Sequence, residues 1–204
     1  MPTIDLTQTL FHQMPVFPGE ARPSILEDQL PPNAGYVTYR LESNMHTGTH
    51  IDAPYHAKAD LLTIDSYPAE LFCGKAKALD VRNIDVVRIE PGWEDIFREY
   101  EVILFNTGHD KHWNTPAYYR DYPVFSDEIA FAMKEYGVRI AGFDSPSPDK
   151  SPFDFHSVFL NHGRFLVENL CGLDRLIHLY EFEFMAFPLK IQAEASLLRA
   201  IARY

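Results

Sequence analysis

Short apolar blocks separated by turn residues run the length of the chain. Tyr36-Val-Thr-Tyr-Arg-Leu41 has the β-branched and aromatic content of a strand. Ala76–Val81 (AKALDV) and Glu101–Phe105 (EVILF) are further apolar runs of strand character, and Trp93–Tyr100 between them suits a short helix. Ser126 followed by Asp127 and Glu128 predicts a second helix, because a capping side chain and early acids satisfy the free amides there. That helix runs to Tyr136 and stops at Gly137. Val138–Phe143 then reads as a buried strand ending in Asp144. Asp154 caps a predicted helix through Leu160 with its exit at Gly163, while Phe165–Leu170 and Phe182–Ile191 are strand-like. Phe17–Pro32 holds Pro18, Gly19, Pro23, Pro31 and Pro32 and reads as loop. Strands and helices interleave, with more strand than helix. This pattern predicts a mixed-sheet α/β or α+β domain whose strand order is not legible.

Composition narrows the function classes. The 204 residues show no repeat, low-complexity segment or interdomain linker, so one domain spanning 1–204 is expected. The net charge of −11 argues against a nucleic-acid binder, which carries a basic stripe, and against an anionic membrane surface. Two cysteines, Cys73 and Cys171, allow neither a disulfide framework nor a thiolate zinc finger, and buried small hydrophobes are their simplest reading. The N-terminus lacks a basic region followed by an apolar run, and no stretch approaches 18 apolar residues. A cytoplasmic protein is expected.

The nine histidines matter through their placement. His46-Thr-Gly-Thr-His-Ile-Asp-Ala-Pro-Tyr-His56 sets His46, His50, Asp52 and His56 at even spacing, which an extended segment points to one face. Imidazole plus carboxylate suits a divalent transition metal, zinc first, with manganese or iron next. A flat strand fails, because its rise would hold His46 and His50 roughly 13 Å apart. A helix fails on Thr-Gly-Thr-His-Ile, a poor helix sequence. A sharp bend at Gly48 remains, with Pro54 fixing the backbone before His56.

A metal site needs a second segment. His156 and His162 offer imidazoles six residues apart. Glu168 follows within Leu166-Val-Glu-Asn-Leu170, where a buried carboxylate needs a cation or proton. A helix, a turn at Gly163 and a returning strand would bring His156 to Glu168. His109 and His112 fall in a loop, either at a pocket entrance or simply solvated. His162 fits a helix C-terminus. Asp144-Ser-Pro-Ser147 lacks the flanking glycines of a nucleophile elbow, and Asp144 is expected instead to orient a metal ligand.

The pattern His46-x-Gly-Thr-His50-x-Asp52-x-Pro54-x-His56 resembles the motif of the cyclase family, which includes bacterial kynurenine formamidases and is similar to isatin hydrolases. Further landmarks are Pro15-Val-Phe-Pro-Gly19, Gly142-Phe-Asp144, His156, Glu168-Asn-Leu170 and Pro188-Leu-Lys-Ile191. The resemblance implies a β/β/α layered, swivelling-type fold and a homodimer or higher oligomer. It also implies two metal ions, generally zinc. His46, His50 and Asp52 would hold the first, His156 the second, with Asp52 and Glu168 bridging, and His56 would carry protons. The family's tryptophan that contacts the aromatic substrate is Phe17 here, the usual aspartate after Gly19 is Glu20, and Gly-Ser-Pro-Val-Arg is Ala195-Ser-Leu-Leu-Arg199. The implied activity is metal-hydroxide hydrolysis of an aryl formamide or related cyclic amide, a small aromatic substrate. Phe17, Trp113 and Tyr119 are the candidate pocket aromatics. Ring closure or dehydration at the same site, and a non-catalytic metal-binding role, remain the alternatives.

Overall fold

The computed structural model describes residues 1–161 and 163–204; His162 lies outside them. In chain order the elements are β1 (Thr3–Asp5), β2 (Ser24–Glu27), β3 (Tyr39–Glu42), β4 (His50–Asp52), α1 (Pro54–Ala57), β5 (Cys73–Asp80), β6 (Val86–Val87) and α2 (Trp93–Glu99). They continue with β7 (Val102–Asn106), β8 (Val124–Phe125), α3 (Asp127–Tyr136), β9 (Ile140–Phe143), α4 (Asp154–Phe159), β10 (Phe165–Glu168), β11 (Phe182–Pro188) and β12 (Ala195–Arg203). Interleaved helices and mixed strand directions make this a mixed α/β fold, as the apolar pattern predicts.

Eight strands form one sheet in the order β1-β12-β11-β5-β7-β9-β10-β4, and β4 also pairs with β12. The second pairing closes the sheet on itself. The β5-β7-β9-β10 run is parallel, with α2, α3 and α4 in its crossovers, while β11, β12, β1 and β4 join antiparallel. Central parallel strands are covered on both faces, and β7 shows it. Its Val102 and Leu104 enter a core with Ile51, Ile140, Phe165 and Phe184 inside the closed sheet. Ile103 and Phe105 enter a second core with Phe97, Met133, Phe155 and Phe159 beneath the helices.

Three local expectations change. The proline-rich stretch contains β2, paired with a β3 that starts later than its apolar run suggests. Phe153, with φ +64°, occupies the cap position of α4, and Asp154 falls in the first turn. Ser126 stands at the cap of α3, but its hydroxyl donates to the Glu128 carboxylate at 3.0 Å. No helix among the described residues is long and apolar enough to cross a membrane.

Close packing leaves Gly142 no room for a side chain. A Cβ on Gly142 of β9 would lie 2.5 Å from Leu104 Cδ2 and 2.8 Å from Leu170 Cδ1. Both leucines are fully buried. Gly142→Ala is expected to destabilise the fold by about 1–3 kcal/mol through overpacking, read as a lower urea midpoint at constant slope. An unchanged midpoint would contradict this packing.

Candidate metal centre

The backbone carries the donors to one place in two movements. The chain turns at Gly48, whose φ is +66°, and then enters β4, where His50 and Asp52 fall on one face. Pro54 opens α1 and leaves His56 within that single turn. From the other half of the chain, β10 runs antiparallel to β4 and sets Glu168 directly opposite His50. The loop leaving β9 returns through α4, which supplies His156. A cavity of about 400 Å³ is lined by His46, His50, Asp52, His56, His156 and Glu168 together with Phe17. All seven sequence-identified residues therefore meet.

Asp52 is the hub. Its Oδ1 lies 3.0 Å from His46 Nδ1 and 3.5 Å from His50 Nε2, and its Oδ2 lies 4.0 Å from His156 Nε2. Glu168 reaches His50 Nε2 at 3.4 Å and His156 Nε2 at 3.3 Å. Two overlapping donor groups share Asp52, one with His46 and His56 and one with His50 and Glu168, each compact enough to hold an ion. His56 is thus close enough to be a ligand, a role that spacing left open.

Each of three histidines has an oxygen behind the ring nitrogen that faces away from Asp52 and Glu168. His50 Nδ1 lies 2.9 Å from the Gly48 carbonyl, and His156 Nδ1 lies 2.7 Å from Asp149 Oδ1. His46 Nε2 lies 3.5 Å from Glu194 Oε1. With metal bound, such partners would hold the outward nitrogen protonated and leave the inward lone pair for the ion, as metal-binding imidazoles require. His56 has no side-chain hydrogen bond among the described residues. Its ring instead faces other imidazoles, with centroids 4.3 Å from His46 and 5.9 Å from His156.

The electrostatics ask for a cation. Both Asp52 oxygens, Glu168 Oε1 and His50 Nε2 are buried with no hydrogen-bond partner among the described residues, an expensive state for a carboxylate. Burial alone would discourage a charge on His46, yet Asp52 and then Glu194 outweigh it and raise the imidazole to about 11. Burial is likewise overcome at His156, where Asp149 and Glu168 raise it to about 10. Burial also acts on Asp52, but the His46 and His50 charges hold its carboxyl well below the usual range. Protons on the histidines offset the acids here, and a divalent ion would displace them. His56 moves the other way, lowered by burial and by the His46 and His156 charges against the pull of Asp52.

The wider expectations divide. Tyr119 lines the cavity beside Phe17, with ring centroids 6.2 Å apart at 86°. Trp113 does not line it and packs edge-on against the buried Tyr118. His109 and His112 border a separate cavity; His109 is buried and bonds the Tyr118 carbonyl at 2.8 Å through Nε2. Among the described residues Asp144 bonds no histidine. It accepts from the Thr107 amide at 2.9 Å, the Thr107 hydroxyl at 2.5 Å and the Gly108 amide at 2.8 Å, and burial raises it to about 7. Asp149, which sequence reasoning missed, takes the expected role at His156. Asn169, named in the Glu168-Asn-Leu170 landmark without a role, ties the site together: Tyr118 donates to its Oδ1 at 2.8 Å, and its Nδ2 donates to the Gly48 carbonyl at 2.9 Å. Ser147 donates to Asp149 Oδ1 at 3.3 Å.

Asp149 gives a test of this arrangement. Asp149→Asn is expected to weaken metal binding about 10–100-fold, measured by competition with a chromophoric chelator. Unchanged affinity would remove Asp149 from the site.

Residues 4–150 match the family described as "Putative cyclase". A kynurenine formamidase of Bacillus cytotoxicus is 30% identical, over 98% of this chain and 96% of that protein. Isatin hydrolase A from Labrenzia aggregata, solved with benzyl benzoate bound, superposes with a TM-score of 0.80 at 25% identity, covering 98% of this chain and 93% of that one. A predicted metal-dependent hydrolase from Bacillus stearothermophilus shares the fold, with a TM-score of 0.75 at 20% identity over 98% of this chain and 97% of that one. A family match across the histidine motif and a relative spanning nearly the whole chain agree with the geometry: the chain belongs to the cyclase family.

Proposed function

We propose that this chain is a metal-dependent hydrolase of a small aromatic amide, an aryl formamide or a related cyclic amide. The observation that carries the proposal is the pair of buried carboxylates, Asp52 and Glu168, facing three oxygen-backed histidines, with both Asp52 oxygens and Glu168 Oε1 lacking a hydrogen bond among the described residues. The names of the relatives, kynurenine formamidase and isatin hydrolase, support the substrate class.

His46, His50, Asp52, His156 and Glu168 would hold divalent metal. Their nitrogen and carboxylate donors suit zinc first and manganese next, and the His50, Asp52 and Glu168 donor atoms are close enough together to share an ion. Bound there, the metal supplies Lewis acidity, polarising a carbonyl and acidifying water. Among the described residues no oxygen holds the His56 proton in place, so we assign it proton transfer. It takes a proton from the attacking water and returns one to the leaving nitrogen, so that amide and water become acid and amine. Phe17 and Tyr119 form an apolar wall for the substrate ring. A homodimer or higher oligomer belongs to the same reading, supported by Leu26, Tyr39 and Leu41 exposed on the β2–β3 hairpin.

The test is formate release from aryl formamides by zinc-loaded and chelator-treated protein. The reading predicts release that is lost with the metal and restored by zinc. Turnover without formate or water uptake, or none on formamides, aryl esters and cyclic amides alike, would overturn it.

A further inference from the structure

The cavity lining also carries a carboxylate that the reaction above does not use. Phe17-Pro18-Gly19-Glu20 folds as a tight turn. The Glu20 amide donates to the Phe17 carbonyl at 3.1 Å, and Gly19 has a φ of +99°. Proline second and glycine third are what a type II turn requires. This turn brings Phe17 and Glu20 side by side onto the cavity. Tyr119 completes the wall, and its phenol donates to the Pro15 carbonyl at 3.0 Å, tying the aromatic pair to the same loop.

Glu20 Oε2 is buried with no hydrogen-bond partner among the described residues, and no lysine or arginine there pairs with it. The nearest guanidinium in sequence, Arg22, turns away and donates to the Gln13 carbonyl at 3.2 Å. Burial raises the Glu20 carboxyl above its ordinary range, against the pull of His46 and His50. An acceptor desolvated at a cavity wall recovers free energy when a ligand brings a donor to it, most of all a charged one.

We propose that Glu20 is a specificity-determining residue that accepts a hydrogen bond from an amine or ammonium group of the substrate while Phe17 and Tyr119 hold its ring. The preferred substrate is then an aryl amide bearing an amine, and one bearing a carboxylate in that place is excluded by Glu20. This inference rests on the hydrolase reading for the reaction but not for the binding.

Two measurements on the zinc-loaded protein separate them. Calorimetric titration with benzylamine and with benzyl alcohol is expected to show about tenfold or more tighter binding of the amine. Glu20→Gln, which keeps the shape of the side chain, is expected to bring the two within about twofold, and Glu20→Asp to keep an intermediate preference. In parallel, kcat/KM for aryl formamides with and without an aminomethyl group should favour the amine, and that ratio should collapse in Glu20→Gln. Equal binding of the two probes, or a preference that survives Glu20→Gln, overturns the role of Glu20. A Glu20-dependent preference without any formamide hydrolysis leaves this inference standing and removes the hydrolase reading. Hydrolysis without amine preference does the reverse.

Discussion

His56→Ala is expected to retain its metal and to lose turnover by about 10²–10⁴-fold, the usual worth of a positioned proton carrier. The expectation follows from a difference among four imidazoles that share one cavity. His46, His50 and His156 each have an oxygen behind the ring, at 3.5, 2.9 and 2.7 Å. His56 has none among the described residues, and it sits in the single turn of α1, more exposed than the other three. A ligand gains from a fixed proton on its far nitrogen, whereas a proton carrier must exchange its own. The same variant decides between them, because His56 is also close enough to Asp52 and His46 to be a donor. Metal content measured beside kcat gives the answer. Full metal with lost turnover supports the proton role, and partial rescue by added imidazole would strengthen it. Lost metal would make His56 a ligand, and unchanged turnover would remove it from the chemistry.

Asp52→Asn is expected to lose both metal and activity while remaining folded. Among the described residues Asp52 is the one carboxylate within 4.0 Å of an inward nitrogen on His46, His50 and His156 alike. The amide keeps the shape but brings a donor where the site presents positive or metal-seeking nitrogens. Metal affinity should fall by more than the roughly 10–100-fold that a backing residue commands, and hydrolysis should drop to background. Metal analysis after dialysis and a thermal melt check this together. A folded variant that still binds one equivalent of metal would remove Asp52 from the centre of the site.

How far the sequence reaches depends on how local each interaction is. His46, His50, Asp52 and His56 were legible because their geometry is set within eleven residues, by a bend that Gly48 makes and a turn that Pro54 opens. Glu168 was legible as an anomaly, a carboxylate inside an apolar strand, and antiparallel pairing with β4 explains it. Asp149 gave no signal, since nothing in its surroundings distinguishes it from a solvated loop acid until α4 folds back and offers His156. Glu194 was silent for the same reason, its approach to His46 depending on β12. That strand was itself illegible. Ala195-Ser-Leu-Leu-Arg-Ala-Ile-Ala-Arg203 favours no strand by propensity, and its pairing with β11, β4 and β1 decides its conformation. Asp144 was misjudged because an acid at a strand end beside serines looks the same whether it backs a ligand or ties down a neighbouring loop. The Thr107 and Gly108 amides show that it does the latter.

The central claim is that Asp52 and Glu168 are buried among the histidines because divalent metal belongs between them. Anomalous diffraction at the zinc edge, on crystals grown with zinc, measures this without any assumption about substrate. Anomalous peaks are expected within about 2.0–2.2 Å of His50 and Asp52 donors, with the second ion beside His156 and Glu168. A well-ordered centre with no anomalous density beside Asp52 in zinc-replete crystals would contradict it.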